Sequence, residues 1–280
     1  MSDSKSSGRT TEAASDSVLT REEIHEEWDS DYLAPEMDRC YERAYDNLVE
    51  LLRPPPDAPL LDAGCGYCHH AVRLAERGFK VSGIDMSEPA LAAAREYLAK
   101  KGMADRISLQ QGNLLDLPFE DGQWDYVHCW GVLMHVPDLE GALSELARVT
   151  KPGGALILME NNMRSVHTRV FEPLIRSIKT IIGRYNPSQE RTERGIERWY
   201  NKPGGTMLVR MTDMNFLTRF LRDEGLTLRH RLASQLSELY TSVPIEPLKH
   251  ALQVANTMYV DRKGGAGIAQ GNILVFEKTG

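Results

Sequence analysis

The 280-residue chain contains only 4 cysteines, and none of its apolar runs approaches the roughly 20 residues that a membrane-spanning helix needs. Four cysteines in a chain of this length are too few for the disulfide framework of a small secreted protein. We therefore expect free thiols and a cytoplasmic location. Residues 1–17 are rich in Ser, Thr, Asp and Lys and lack the apolar segment of a signal peptide. We expect them to form a disordered tail.

Positive charge is in deficit, because 33 Lys and Arg face 40 Asp and Glu, which gives a net charge of −7. This balance argues against nucleic acid as a partner. The charge is uneven, however, since residues 161–231 contain 14 Lys and Arg but only 7 Asp and Glu. Such a basic block is typical of a surface that faces an anionic substrate, and equally of a solvated helix pair.

The apolar pattern divides the chain near residue 57. After a short helix capped at Thr20, the stripe of Met37, Tyr41 and Leu48 predicts a helix over residues 35–52, which three prolines end. Residues 18–56 are therefore expected to be N-terminal helices. From 57 to 160, short apolar strands alternate with helices, which predicts an α/β core with a doubly wound, mostly parallel sheet.

Two insertions interrupt this alternation after residue 160. Residues 161–211 begin with a predicted helix over 164–182 and continue as polar segments, so we expect a helical lid. The favoured interpretation packs the apolar stripe of this helix on the domain, and the alternative lays its basic flanks on an anionic membrane. Residues 212–280 complete the sheet around a second insertion, in which Leu248, Leu252 and Ala255 predict an apolar helix face.

A glycine-rich loop follows the first strand of the core. Gly64-Cys65-Gly66 allows a tight turn and a close approach of the backbone to a ligand. The loop lacks a P-loop ending, and His69 stands where a dinucleotide fingerprint needs a third glycine. Asp62, before the glycines, would repel a pyrophosphate and attract an ammonium group. Asp85 ends the next strand, where an acid accepts hydrogen bonds from ribose hydroxyls. The pattern predicts an adenosine ligand with a cationic, phosphate-free tail.

Five motifs in this order resemble those of the class I S-adenosylmethionine-dependent methyltransferases. They are Leu61-Asp62-Ala63-Gly64-Cys65-Gly66, Gly83-Ile84-Asp85-Met86-Ser87, Gly112 to Phe119, Trp124-Asp125-Tyr126-Val127 and Arg148 to Gly154. The resemblance covers residues 58–160 well. It implies a Rossmann-like, seven-stranded sheet of order 3-2-1-4-5-7-6 with the last strand antiparallel. It also implies S-adenosyl-L-methionine as the cofactor and S-adenosyl-L-homocysteine as the product.

The same resemblance implies roles for individual residues. The loop Gly64-Cys65-Gly66 would run along the methionine moiety, with Asp62 on its amino group and Asp85 on the ribose hydroxyls. The remaining cofactor residues would be Met86, Asn113 and Leu114 around adenine, and Cys129 and Trp130 beneath the sulfonium. Two positions depart from the family pattern: Cys68 replaces a frequent third glycine, and Asn113 replaces a frequent Asp.

Catalytic residues are harder to predict, because in-line methyl transfer depends mainly on positioning. The candidates are His135 after the fourth strand, Glu160 at the end of the fifth, and His167 on the first insertion. For His135 the favoured interpretation is a packing or loop-anchoring role, and a general base is the alternative. The N-terminal helices, with Trp28, Tyr32 and Tyr41, are expected to cover the cofactor. On the lid, Tyr185, Trp199 and Tyr200 fit either an aromatic wall over the substrate or lid core.

No metal is expected, although Cys65, Cys68, His69 and His70 cluster, because local ligands of this spacing normally need a second pair. The sequence thus predicts a methyltransferase acting on an O or N atom of a small molecule, either anionic or lipophilic. The alternatives are a membrane-associated methyltransferase of a lipid-linked or quinone substrate, and a non-catalytic cofactor-binding partner protein. The oligomeric state, including a homodimer, stays open.

Overall fold

The computed structural model of the chain describes residues 18–21, 35–181, 188–202 and 205–280. The expected tail, most of the first predicted helix, and the candidate residues Trp28, Tyr32 and Tyr185 lie outside these ranges.

Ten strands and seven α-helices make up the described chain. The strands are β1 Ala58–Ala63, β2 Phe79–Asp85, β3 Ile107–Gln111, β4 Trp124–Trp130, β5 Thr150–Asn161, β6 Ser188–Arg191, β7 Gly195–Lys202, β8 Gly205–Thr212, β9 Leu226–Gln235 and β10 Gly271–Lys278. The helices are α1 Pro35–Leu52, α2 His69–Glu76, α3 Glu88–Lys101, α4 Leu139–Val149, α5 Glu172–Ile181, α6 Met214–Asp223 and α7 Glu246–Asp261.

The main sheet has the order β3-β2-β1-β4-β5-β10-β9. Strands β1 to β5 pair in parallel, whereas β10 is antiparallel to both of its neighbours. The predicted seven-stranded order is therefore confirmed, with β9 and β10 as its sixth and seventh strands. Parallel strands bring their carboxyl ends to one edge, so the segments that follow β1, β2 and β4 converge there.

Helices cover both faces of this sheet and enclose two apolar cores. One core contains side chains of α1, α2, α3 and α7, and the other contains side chains of α4 and α6. Local capping explains where several helices begin, since Ser87, Asp138 and Asp213 each accept a hydrogen bond from a backbone amide in the first turn.

The segment 161–211 is helical only in its first half, so the expected helical lid needs correction. A π-helical turn, His167–Phe171, leads into α5, and β6, β7 and β8 then form a separate antiparallel sheet. Strand β7 pairs along its whole length with β8. Its polar sequence, Gly-Ile-Glu-Arg-Trp-Tyr-Asn-Lys, does not predict a strand.

The apolar stripe of α5 lies in solvent, so the prediction that it packs on the domain is wrong for the described residues. The exposed fractions are 62% for Leu174, 53% for Ile178 and 84% for Ile181 on α5, and 59% for Val170 in the π-helical turn before it. The helix is attached through its polar side instead. Glu172 forms an ion pair with Arg198, and Arg176 donates to Gln189 at 2.8 Å. This arrangement leaves the apolar side outward.

A buried arginine attaches the small sheet to the loop after β4. Arg210 on β8 is fully buried, and its Nε lies 3.0 Å from the Glu197 carboxylate. Its terminal nitrogens donate to the carbonyl oxygens of Leu133 at 2.9 Å and Val136 at 3.1 Å. The small sheet is thereby held over the carboxyl edge of the main sheet.

Within the described residues, no helix combines the length and apolar character needed to cross a bilayer.

We expect Arg210→Leu to lower the free energy of unfolding by about 3 kcal/mol, because it leaves two carbonyls and part of the Glu197 charge buried without a partner. Urea unfolding followed by circular dichroism measures this loss. Arg222→Leu is the matched control, since Arg222 is exposed and forms an ion pair with the adjacent Asp223. The control should change stability by less than about 0.5 kcal/mol. Equal losses in the two variants would contradict the role of Arg210.

Candidate functional site

The glycine loop after β1 adopts a conformation that requires glycine. Gly64 has φ +82° and Gly66 φ +49°, both in the left-handed region. A Cβ on Gly64 would lie 2.4 Å from a methyl carbon of Val132. Cys68, which replaces the family's frequent third glycine, also has a positive φ of 66° and immediately precedes α2. The backbone at Gly64 therefore lies so close to Val132 that any side chain at position 64 would collide with it.

The Asp85 carboxylate joins this loop to the end of β2. One oxygen accepts from the amide of Gly66 at 2.8 Å, and the other accepts from the amide of Ser87 at 2.9 Å. A carboxylate has about four acceptor positions, so Asp85 retains capacity for ribose hydroxyls.

Asp62 is buried at the end of β1 with one oxygen unused. The register between β1 and β4 places Asp62 beside His128, whose Nδ1 lies 2.6 Å from Asp62 Oδ1. The phenol oxygen of Tyr45 lies 3.0 Å from His128 Nε2. Asp62 is 2% exposed, and its Oδ2 has no hydrogen-bond partner among the described residues. A buried, unfilled carboxylate oxygen is a position where a ligand cation would bind.

The segment expected to hold adenine forms a tight turn. Asn113 Oδ1 accepts from the amide of Leu115 at 3.0 Å, which fixes the side chain over its own turn. Leu114 and Met86 are half-buried, and Gln111 donates to the carbonyl of Met86 at 3.1 Å. The amide oxygen of Asn113 can accept a second hydrogen bond, as an adenine amine requires.

Cys129 and Trp130, both expected beneath the sulfonium, point to opposite faces of β4. Cys129 is fully buried in the core shared with α4, whereas Trp130 stacks on Tyr45 and His70 with ring centroids 4.9 and 4.7 Å apart. Tyr41 meets the Trp130 ring edge-on at 5.9 Å and is itself buried. Tyr41 thus contributes to the core beneath α1.

Sequence reasoning missed Tyr45 and His128, and it considered His70 only as a metal ligand. A usable signal existed for His128, because it is a polar residue one position before the end of the strand predicted over residues 124–129. The strand order then places it beside the equivalent position of β1, which is Asp62.

The three catalytic candidates have different surroundings. His135 is half-buried, and its Nδ1 lies 2.7 Å from the carbonyl oxygen of Leu208 on β8. A carbonyl only accepts, so Nδ1 carries a proton and Nε2 is the nitrogen that can take one up. Glu160 is fully buried and accepts from the Thr212 hydroxyl at 2.9 Å. Burial raises the pKa of Glu160 to about 7.

The third candidate, His167, lies 2.9 Å through Nδ1 from the hydroxyl of Ser237. Burial, reinforced by the nearby Arg198 charge, lowers the pKa of His167 to about 4. It is therefore neutral near pH 7. The lid aromatics Trp199 and Tyr200 are adjacent on β7, so their half-buried side chains face opposite sides of the small sheet.

No cluster of three or more metal-ligating side chains occurs among residues 18–21, 35–181, 188–202 and 205–280. Two surface clefts, of 390 and 420 Å³, lie beside α6 and at the amino ends of the strands. Neither contains a residue of the glycine loop, so the candidate site rests on the loop geometry and its carboxylates.

Residues 61–158 match the family model of the methyltransferase domain. Over this range the chain is similar to a methyltransferase domain. The matched range contains the glycine loop, Asp85, Asn113 and β4, so it coincides with the candidate site. Domains of this kind use S-adenosylmethionine, and the unfilled oxygen of Asp62 fits the ammonium group of that cofactor.

Curated relatives carry several kinds of name. Over 184 residues the chain is 29% identical to methyltransferase GfsG of Streptomyces halstedii, which covers 64% of this chain and 63% of the relative. It is 37% identical to a demethylmenaquinone methyltransferase of Bacillus cytotoxicus over 38% of this chain and 46% of the relative. It is 32% identical to the sterol 24-C-methyltransferase ERG6B of Gibberella zeae, over 46% of this chain and 34% of the relative. The match thus spans less than two thirds of each relative.

Solved structures support the fold. Protein PH0226 of Pyrococcus horikoshii superimposes with a TM-score of 0.62 and 18% identity, over 92% of this chain and all of that one. A geranyl diphosphate C-methyltransferase from Streptomyces coelicolor superimposes with a TM-score of 0.54 and 17% identity, over 84% of this chain and 79% of that one. That structure contains S-adenosyl-L-homocysteine and geranyl diphosphate.

We expect Glu160→Gln to remove a pH dependence of stability. The pKa of Glu160 rises from an ordinary 4.5 to about 7 on folding, so the folded protein binds the proton more tightly. The contribution of Glu160 to the free energy of unfolding is fully present below about pH 4.5. It is lost as the pH rises from there through 7, and the loss is at most about 3 kcal/mol. Urea unfolding at pH 5 and pH 8 should show a smaller difference for Glu160→Gln than for the wild type. Parallel profiles would contradict the raised pKa.

Proposed function

We propose that this protein is an S-adenosylmethionine-dependent methyltransferase that methylates an oxygen or nitrogen atom of a small molecule. The observation that carries the proposal is the unfilled, buried oxygen of Asp62 beside the glycine loop. An ammonium group would complete its hydrogen bonding, and Asp85 stands at the end of the neighbouring strand for the ribose. A phosphorylated nucleotide would instead meet a buried negative charge at Asp62.

The chain's residues would act mainly by positioning. The bound cofactor supplies a methyl group on a positively charged sulfur. Gly64 and Gly66 let the backbone lie against the amino-acid part of the cofactor, and the small sheet restricts access of water to the carboxyl edge. Glu160 is fully buried, and its carboxylate accepts a hydrogen bond from Thr212.

Among the three candidates, His135 suits the role of general base. Its Nδ1 donates to the carbonyl oxygen of Leu208, so Nε2 is the nitrogen of the neutral ring that carries no proton. His135→Asn keeps a donor near the position of Nδ1 but has no basic nitrogen. Once a substrate is known, this variant should lower kcat by about 100-fold without changing the cofactor Kd. An unchanged kcat would assign His135 to anchoring of the loop.

The proposal is tested by cofactor binding and by methyl transfer. Isothermal titration should detect S-adenosylmethionine and S-adenosylhomocysteine binding to the wild type. Gly64→Ala should weaken both by at least about tenfold, because the new Cβ meets Val132 in a left-handed conformation. Gly153→Ala is the matched control, since Gly153 has a similar φ of 78° with no atom within 4 Å of an added Cβ.

A screen of metabolite fractions with methyl-labelled cofactor then searches for the substrate. Transfer of label to a small molecule supports the enzyme. Binding without transfer to any fraction would favour a non-catalytic cofactor-binding protein. Absence of binding, or equal affinity of the Gly64→Ala variant, would contradict the proposed site.

A second candidate is a methyltransferase that takes a lipid-linked or quinone substrate at a membrane surface. The exposed stripe of α5 favours it, because four large aliphatic side chains face solvent on the segment that follows β5. Exposed Arg169 adjoins this stripe, and the helix's single acid, Glu172, is paired with Arg198 on the opposite side. Such a surface suits anionic lipid headgroups.

Flotation with phosphatidylcholine vesicles, with and without phosphatidylglycerol, tests this candidate. The wild type should float with the anionic vesicles, and Ile178→Glu should remain in the soluble fraction. Met258→Glu, on exposed α7, is the matched control and should float like the wild type. Absence of wild-type flotation at every lipid composition would remove the candidate.

A further inference from the structure

We propose that His128, held by Tyr45, is a positioning residue that orients the Asp62 carboxylate toward the ammonium group of the cofactor. The inference rests on the proposed function and extends it, because it assigns a role to two buried residues outside the glycine loop.

Strand pairing creates the contact between the acid and the imidazole. β1 and β4 are parallel neighbours, and their register sets Asp62 directly beside His128 on the same face of the sheet. The Asp62 Oδ1 to His128 Nδ1 distance is 2.6 Å, and both side chains are at most 2% exposed. At this separation and burial, the imidazole fixes which oxygen of the carboxylate is used by the protein.

Hydrogen-bond accounting fixes the direction of each bond. An ionised carboxylate only accepts, so Nδ1 of His128 must donate to Asp62. Nε2 is then left for the hydroxyl of Tyr45, 3.0 Å away. Burial raises the pKa of Tyr45 well above its usual range, so the phenol keeps the proton that it donates to Nε2. The chain from Tyr45 through His128 to Asp62 thus leaves only Asp62 Oδ2 without a partner among the described residues.

The groups around this chain do not supply a competing cation. His70 stacks nearby on Trp130, and burial lowers its pKa well below the ordinary value, so it is neutral. Arg73 and Arg77, the two arginines whose charges act on Tyr45, are both ion-paired with acids of α1. The negative charge of Asp62 is therefore directed to a ligand.

Aromatic packing alone does not account for His128. Its ring lies 5.9 Å from both Tyr45 and Trp130, a contact that an apolar ring would make equally well. A buried imidazole costs desolvation unless its nitrogens are paired, and here both nitrogens are used. The pairing with Asp62 is what distinguishes this residue from core filling.

Two substitutions separate the donor from the shape of the ring. His128→Asn places an amide nitrogen near the position of Nδ1, so it keeps the donor to Asp62. His128→Gln extends its amide toward the position of Nε2 and loses that donor. Titration with S-adenosylhomocysteine should give a Kd within about threefold of the wild type for His128→Asn, and at least about tenfold higher for His128→Gln. Tyr45→Phe removes the hydroxyl at Nε2 and so lets the His128 ring change tautomer. Its Kd should lie between those of His128→Asn and His128→Gln.

A ligand without the amino-acid tail isolates the ammonium contact. 5′-Methylthioadenosine shares the nucleoside but has no ammonium group, so its Kd should be the same for the wild type, His128→Asn and His128→Gln. An equal loss for both ligands in His128→Gln would assign His128 to structural packing and overturn the inference. Unchanged S-adenosylhomocysteine affinity in His128→Gln would also overturn it. Failure of the wild type itself to bind S-adenosylhomocysteine contradicts the proposed function instead.

Discussion

A single buried carboxylate, that of Asp62, sets the chemistry of the carboxyl edge of the sheet. It is 2% exposed and carries an oxygen without a partner in the described structure, which is costly unless a ligand uses it. The glycine loop that follows can approach such a ligand because its backbone adopts left-handed angles. The Asp85 carboxylate holds that loop in place through the amide of Gly66. The arrangement of the methyltransferase domain thus follows from where β1 ends.

Much of the core could be predicted because its signals are local. Ser87 and Asp138 cap α3 and α4 within their own segments, and the alternation of apolar strands and helices specifies the parallel sheet. The glycines and acids of the cofactor loop occur within short motifs, so they can be recognised in the sequence without knowledge of the tertiary structure. The order of strands followed from the resemblance to the family and not from periodicity.

The parts that could not be predicted depend on contacts between distant segments. Strands β6, β7 and β8 were missed because the strands carry many polar residues, and Arg198 and Arg210 find buried partners only in the folded chain. The apolar face expected on α7 is mostly exposed, whereas Asn256 is buried. Its amide oxygen accepts from the backbone of Leu236 and Ser237 at 2.8 and 3.0 Å. His128 likewise acquires its significance only when β4 lies beside β1.

The attachment of the small sheet has a mechanical consequence for access to the site. Arg210 donates to the carbonyls of Leu133 and Val136, and the same loop carries Val132, whose methyl groups lie against Gly64. Lifting the small sheet away from the edge therefore pulls on the residue that narrows the glycine crevice. A single guanidinium group therefore connects the position of the small sheet with the width of the crevice at Gly64.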